Sequence, residues 1–309
     1  MSSAGDMSWD TIIRACRAIS TNQIARAAPK AYFRSVRDTG RGPEAESPKE
    51  LAEYCLRCAR EYSEVLSAVS DSRCRALTEA RILEYGPGDF LGTAVALVGQ
   101  GASEVTCVDR FPLVSDSAHN VAAYELVLDL LPNDQRRRAE ECFSAPGRPA
   151  SGFNEDRIRY EVRGSGLSGR QDRFDLVVSR AVLEHVDDLH ATFKDMARAL
   201  RWGGYAVHLV DLSSHRLHRD NPLDFLTWSD TLWRLMYSHK GAPNRHRLDA
   251  YREALAASEL EVLRLEPSKV APIEWVHEVR PRLGQRFSKV SDEDLMCLGF
   301  WLVCRKTDE

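Results

Sequence analysis

The pattern of apolar and polar positions changes character near residue 81. Before it, in "KELAEYCLRCAREYSEVLSAV", Leu51, Tyr54, Cys55, Cys58, Tyr62, Val65, Leu66 and Val69 recur at steps of three and four, the period of one helical face. The "SPKE" that leads into this run supplies a capping serine, a proline and a glutamate at the third helical position, which predicts a capping box. Another helix is expected near residues 8–20, with the Gly- and Pro-rich stretch 39–48 as a flexible joint between the two. After residue 81, short apolar runs alternate with helical segments. Strands are expected at "RILEYG", "EVTCVDR", "RIRYEVR", "FDLVVSR", "YAVHLVDL", "EVLRLEP" and "MCLGFWLVC", with helices near 91–100, 115–131, 187–201 and 248–258. This alternation predicts an α/β protein: a mostly parallel sheet with helices on both faces. Two stretches interrupt it. Residues 132–156, polar with Pro and Gly, are expected to be a mobile loop, and residues 213–247, with "PLDFLTWSDTLWRLMY" helical inside, to be an inserted helical lid. The expected organisation is a helical N-terminal cap over 1–80 and an α/β domain over 81–309.

Composition narrows the functional classes. A chain of 309 residues can bury a substantial core, and 42 Lys and Arg against 46 Asp and Glu leave a formal charge of −4. That balance lacks the basic footprint of a nucleic-acid binder, so no nucleic-acid partner is expected. The start, "MSSAGDMSWDTIIRACRAIS", has no continuous apolar stretch of the kind an export signal uses, and the longest apolar run, 295–304, is too short to span a bilayer. Eight scattered cysteines suit reduced thiols, which together with these absences points to a cytoplasmic protein without a membrane partner. Cys55 and Cys58 form a CxxC, but on a helical pattern and with no second pair, so they are expected as buried thiols.

The candidate chemistry begins at "RILEYGPGDF". A turn that follows a buried strand and opens a helix needs glycine for left-handed backbone and for close approach to a ligand, and Gly86 and Gly88 meet both needs. Asp109 follows 23 residues after Gly86, at the end of the next strand, where a carboxylate reaches ribose hydroxyls. A dinucleotide fingerprint would place its third glycine where Leu91 stands, and a carboxylate at Glu84 would repel pyrophosphate while attracting a cationic group.

"LEYGPGDFLG", "VTCVDR", "FDLVVSRAVLEHVDD" and "MARALRWGGYAVHLVDL", in this order and spacing over roughly residues 81–212, resemble the motif series of class I S-adenosylmethionine-dependent methyltransferases. The resemblance implies a Rossmann-like seven-stranded sheet with S-adenosylmethionine as cofactor. It implies that Glu84, Gly86 and Gly88 lie against the methionine part, that Asp109 takes the ribose hydroxyls, and that Arg110 and Phe111 flank the adenine. Ser179 and Arg180, at the end of the fourth strand, would face the methionine part and the substrate. Two departures stand out: Phe90 replaces a motif glycine, and "RGSGLSG" follows the third strand where the family often has an acidic residue, so Gly164 or Ser165 is expected to contact the adenine through its backbone.

Methyl transfer from a sulfonium is an in-line displacement, for which the protein contributes approach geometry, water exclusion and, for a hydroxyl or a protonated amine, a base. The catalytic candidates are His185 in "VLEHVDD", and Asp211 and His215 in "HLVDLSSHRLHRDNP". Substrate contacts are expected from His208, His218, Trp228, Tyr237, Asn244 and Arg245, with the N-terminal helices, Tyr54 and Tyr62 included, closing over the same mouth. His215 and His218 have a spacing that suits a metal with Asp211 or Asp220, but polar loops commonly carry histidines and no metal is expected. The expected function is methyl transfer to a small molecule, a secondary metabolite or a carbohydrate-like acceptor. Its alternatives are intramolecular cyclisation or elimination of the cofactor, and a non-catalytic nucleoside-binding module. Oligomeric state is left open.

Overall fold

The computed structural model describes residues 9–28, 32, 46–69, 77–215, 217 and 220–307. His218 and residues 39–45 of the expected joint lie outside the described residues.

Seven strands form one sheet in the order β3-β2-β1-β4-β5-β7-β6. Central β1 (Arg81–Tyr85) runs parallel to β2 (Glu104–Asp109) on one side and to β4 (Phe174–Arg180) on the other. β3 (Ile158–Val162) extends the sheet beyond β2, and β5 (Leu200–Asp211) lies beyond β4, both parallel. β7 (Cys297–Lys306) is antiparallel to both β5 and the edge strand β6 (Leu260–Val270). This is the expected Rossmann-like, mostly parallel seven-stranded sheet. Strand order reverses at β1, and such a reversal opens a crevice beyond the carboxyl ends of the strands.

The period of two along each strand sorts side chains between two helical layers. Ile82, Val105, Cys107, Leu176, Val178 and Val207 lie in one core with α2 (Pro48–Ser67), α3 (Gly92–Gly99) and α4 (Ala118–Leu130). Leu83, Tyr85, Val108, Val177 and Val210 lie in the other, with α6 (Leu189–Ala199) and α8 (Leu248–Ala256). The expected capping box opens α2: the Glu50 amide donates to Ser47 Oγ at 3.3 Å, and the Ser47 amide donates to Glu50 Oε2 at 2.8 Å.

The two N-terminal helices serve different parts of the molecule. α2 covers the sheet, whereas Ala15 and Ala18 of α1 (Trp9–Ala27) share a third core with Phe225, Leu226, Trp233 and Met236 of the insert. Asn22 Nδ2 donates to the Leu235 carbonyl at 2.9 Å, and Lys240 Nζ to the Ala18 carbonyl at 2.7 Å, tying α1 to α7 (Asp230–Tyr237).

Residues 132–156 differ from the expected loop, for they contain the helix α5 (Asn133–Glu140), a short 3-10 turn and a bridge between Phe143 and Phe153. Their pattern hides the helix because α5 buries only Ala139 and is held by polar contacts, such as Arg138 Nε donating to the Gly99 carbonyl at 2.8 Å. Two more short helices, α9 (Ile273–Val279) and α10 (Asp292–Met296), precede β7 unforeseen. Among the described residues no helix is long and apolar enough to cross a membrane.

Candidate active site

The loop after β1 is shaped by two glycines in left-handed backbone, Gly86 at φ 61° and Gly88 at φ 77°. A Cβ on Gly86 would come within 2.5 Å of Val182 Cγ2, so this position is closed to larger residues on two counts. Gly92 carries the packing role: a Cβ there would meet the Phe90 ring and come within 3.0 Å of Cys55 Sγ on α2. The loop is fixed from outside by Asn120 Nδ2, which donates to the Asp89 carbonyl at 3.1 Å, and by Tyr124 Oη, which accepts from the Leu91 amide at 3.0 Å.

Two acids flank the loop. Glu84, buried on β1, stands in register with Cys107, whose thiol donates to Glu84 Oε2 at 3.5 Å. Asp109 ends β2, where its Oδ1 accepts from the Phe111 amide at 2.9 Å and its Oδ2 from the Gly88 amide at 3.3 Å. Burial outweighs these two bonds and pushes the Asp109 carboxyl up to about 6. Such a group is stabilised by further hydroxyl donors.

A cavity of about 370 Å³ opens beside this loop, within the range of small-ligand sites. Glu84, Gly86, Gly88, Asp109, Arg110, Phe111, Ser165 and Arg180 all line it. Gly164 and Ser179 do not; the chain after β3 presents Ser165, Gly166 and Leu167 instead. Asp195 on α6 anchors that chain: it accepts the Ser168 amide at 2.6 Å, the Gly169 amide at 2.9 Å and the Tyr85 hydroxyl. Arg110 is paired with Asp187 at 2.7 Å across the mouth. Arg180 pairs with Glu61 of α2, with its guanidinium 5.5 Å from the centre of the Tyr54 ring and 5.9 Å from that of Trp301. Tyr54, Cys58 and Tyr62 of α2 complete the wall.

The same cavity carries two histidines. A 3-10 turn, Leu183–His185, follows β4, and the Asn244 side chain clamps it by donating to the carbonyls of Leu183 at 2.9 Å and Val186 at 3.0 Å. The His185 and His215 rings stand edge to face with centres 4.8 Å apart, and both line the cavity. Burial, reinforced by His215, lowers His185 to about 4, which leaves its imidazole neutral at ordinary pH. Asp211 Oδ2 lies 3.8 Å from His215 Nε2. Arg247, fully buried, holds the neighbouring chain by donating to the Leu212 carbonyl at 2.9 Å.

Five expected substrate residues sit away from the cavity wall. His208 is wholly buried in β5, its Nδ1 2.8 Å from Ser179 Oγ, and burial lowers it to about 3. Arg245 is a strut of the insert, donating to the carbonyls of Trp228 at 2.7 Å and Phe225 at 3.2 Å, with its guanidinium over the Trp233 ring. Trp228 and Tyr237 pack in the third core. Asn244 acts on the turn, as above. Sequence alone did not single out Glu61, Asp187 or Asp195, because each is placed by a partner far away in the chain.

Residues 52–265, more than half of the chain, match the family model described as a methyltransferase domain, and the chain belongs to that family. It is a class I S-adenosylmethionine-dependent methyltransferase, an enzyme whose cofactor is S-adenosylmethionine. No protein with a curated description matches it. Among solved structures it is similar to a candidate sarcosine dimethylglycine methyltransferase from Galdieria sulphuraria, at 16% identity and a TM-score of 0.46 over 82% of this chain and 86% of that one. It is also similar to an S-adenosylmethionine-dependent methyltransferase from Mesorhizobium loti, at 18% identity and a TM-score of 0.43 over 81% and 99% of the two chains. A geranyl diphosphate methyltransferase in complex with GPP and sinefungin is similar at 16% identity and a TM-score of 0.44 over 81% and 77%. The residues present fit the cofactor: a buried acid at Asp109, raised to about 6, a carboxylate at Glu84 and a two-glycine turn border one cavity.

Proposed function

We propose that this methyltransferase acts on a small-molecule acceptor, a secondary metabolite or a carbohydrate-like compound, held in the same cavity as the cofactor. The observation that carries this reading is the continuity of that cavity: it runs from Glu84 and Asp109 to His185 and His215 and is walled by α2, a form suited to a small ligand rather than a long polymer. Bound there, S-adenosylmethionine supplies a methyl group on a positively charged sulfur.

The chain's own residues do the rest. Glu84 attracts the ammonium of the amino-acid part, and Asp109 accepts hydrogen bonds from the ribose hydroxyls. Arg110 and Phe111 flank the adenine, with Ser165 contacting it through its backbone. Arg180, fixed by Glu61, Tyr54 and Trp301, sets the wall between the cofactor end and the acceptor end. His185, neutral, is in a state to accept a proton from an acceptor hydroxyl, and Asp211 orients His215. Water exclusion follows from the covering helix α2. The domain boundaries proposed are a helical N-terminal region over 1–80 and the methyltransferase domain over 81–309, with its lid at about 213–247.

The test is calorimetry with S-adenosylhomocysteine, followed by a screen of hydroxylated small molecules with S-adenosylmethionine. Binding of one equivalent, with methylated product from at least one small molecule, is the expected outcome. Methylthioadenosine formed from the cofactor alone, with no methylated product, would replace this reading with intramolecular cyclisation or elimination.

A further inference from the structure

Behind His185 and His215, outside the cavity lining itself, lies a buried acid that the proposed chemistry leaves unexplained. Glu184 is 1% exposed, and neither of its carboxylate oxygens has a hydrogen-bond partner. An unpaired carboxylate in this setting is costly unless a cation or a proton reaches it. Two imidazoles do face it: His215 Nε2 stands 3.7 Å and His185 Nε2 3.9 Å from Glu184 Oε1.

We infer that Glu184, His185 and His215 form a three-ligand binding site for a divalent first-row transition-metal ion beside the acceptor end of the cavity, leaving a fourth position open. One ligand atom from each of the three lies within 4.8 Å of the others. A tetrahedral ion with ligands 2.0–2.1 Å away sets its ligand atoms about 3.4 Å apart, so the two Glu–His pairs at 3.7 and 3.9 Å would close by a few tenths of an ångström and the two imidazole nitrogens would close from within 4.8 Å. Two imidazole nitrogens and a carboxylate oxygen favour Zn²⁺, Co²⁺ or Mn²⁺ over Ca²⁺ or Mg²⁺, which prefer all-oxygen sites. His215 is held with φ at 50°, a conformation that costs a β-carbon-bearing residue about 1–3 kcal/mol and fixes the direction of its side chain. The Asn244 clamp on the Leu183–His185 turn fixes two of the ligands from behind.

This inference rests on the reading of the same cavity as the acceptor pocket, and it narrows the acceptor to one that offers an oxygen donor. With the ion bound, His185 would serve as a ligand in place of the base, and a hydroxyl at the ion's open position would lose its proton to solvent more readily. Its oxygen then forms the new C–O bond as the S–C bond breaks, with the electron pair of that bond remaining on sulfur.

The test uses the full chain freed of metal by chelation and titrated with Co²⁺ alone, read by visible d–d absorption and by calorimetry. We expect one equivalent to bind with bands of mixed nitrogen and oxygen ligation. His215→Ala, at a side chain that is about one-third exposed and so tolerant of change, should weaken binding at least about tenfold, and Glu184→Gln should do the same. His190→Ala, on the exposed side of α6, should bind as the parent does. Glu184→Gln should also melt no lower than the parent without metal, since it removes an unpaired buried charge; if it fails to fold, His215→Ala carries the test alone. Absence of saturable Co²⁺ binding, or binding unchanged by His215→Ala, overturns the inference. S-adenosylhomocysteine calorimetry on the same samples keeps the two readings apart: nucleoside binding without Co²⁺ binding sinks only the metal site, and Co²⁺ binding without nucleoside binding sinks only the cofactor placement.

Discussion

Replacing Asp109 with asparagine should move stability and cofactor binding in opposite directions. In the folded protein the Asp109 carboxyl is held at about 6, whereas in an unfolded chain it titrates near its ordinary value of about 3.9. The folded state therefore binds this proton more tightly. Stability contributed by the group is full below pH 4, falls as pH rises from about 4 to about 6, and stays low above. A shift of about two units corresponds to about 3 kcal/mol as an upper bound. Asparagine removes that penalty but keeps only one of the two backbone bonds, since its amide cannot accept both the Phe111 and Gly88 N–H groups, a loss of about 1 kcal/mol. The net expectation is an apo variant more stable than the parent by about 1–2 kcal/mol at pH 8 and less stable by about 1 kcal/mol at pH 4. Thermal unfolding followed by circular dichroism would register a shift of a few degrees that changes sign between the two pH values. Affinity for S-adenosylhomocysteine should fall about ten- to a hundredfold with loss of the charged acceptor. A stability difference of one sign at both pH values, or undiminished nucleoside affinity, would refute the reasoning.

Other consequences can be checked on the same samples. Glu84→Gln should weaken S-adenosylhomocysteine at least about tenfold while leaving methylthioadenosine, which lacks the amino-acid part, unaffected; equal losses for both ligands would contradict the placement of Glu84. Gly86→Ala should destabilise by about 2–4 kcal/mol through left-handed strain and contact with Val182, and adding Val182→Ala should recover the contact part but not the strain, as denaturant titration would show. His208 is depressed to about 3, so the unfolded chain takes up its proton first; stability present above about pH 6.5 is lost as pH falls towards 3. His208→Leu should flatten that acid limb, and an unchanged pH profile would show that His208 does not contribute to it.

The sheet was legible because each strand is long enough to bury a recognisable apolar run, and because a parallel strand covered on both faces leaves little room for polar residues. Ser47 and Glu50 announced the start of α2 for a similarly local reason: both halves of the cap lie within four residues. The glycine turn and its two acids were legible as an ordered set, since strand, turn and next strand end follow one another in the chain. Beyond that range the signal fails. Arg245 read as a ligand-binding charge, yet it is buried because carbonyls of the insert converge on it, as those of Leu212 and of the start of β7 converge on Arg247. The Leu183–His185 turn follows β4 directly, but Asn244, sixty residues after Glu184, is what clamps it beside the cavity. α1 looked like part of a single cap with α2; its partner is α7, more than two hundred residues away, and no local pattern encodes that choice. α5 was missed for the opposite reason, as a helix with almost no apolar face leaves no period to read.

A crystal structure of the protein with S-adenosylhomocysteine would test the placement of the cofactor most directly. It should show both ribose hydroxyls within hydrogen-bonding distance of Asp109 and the amino group within reach of Glu84, with the sulfur turned towards His185 and His215. Density for the nucleoside anywhere else, or either of the two acids swung out into water in its presence, would contradict the account.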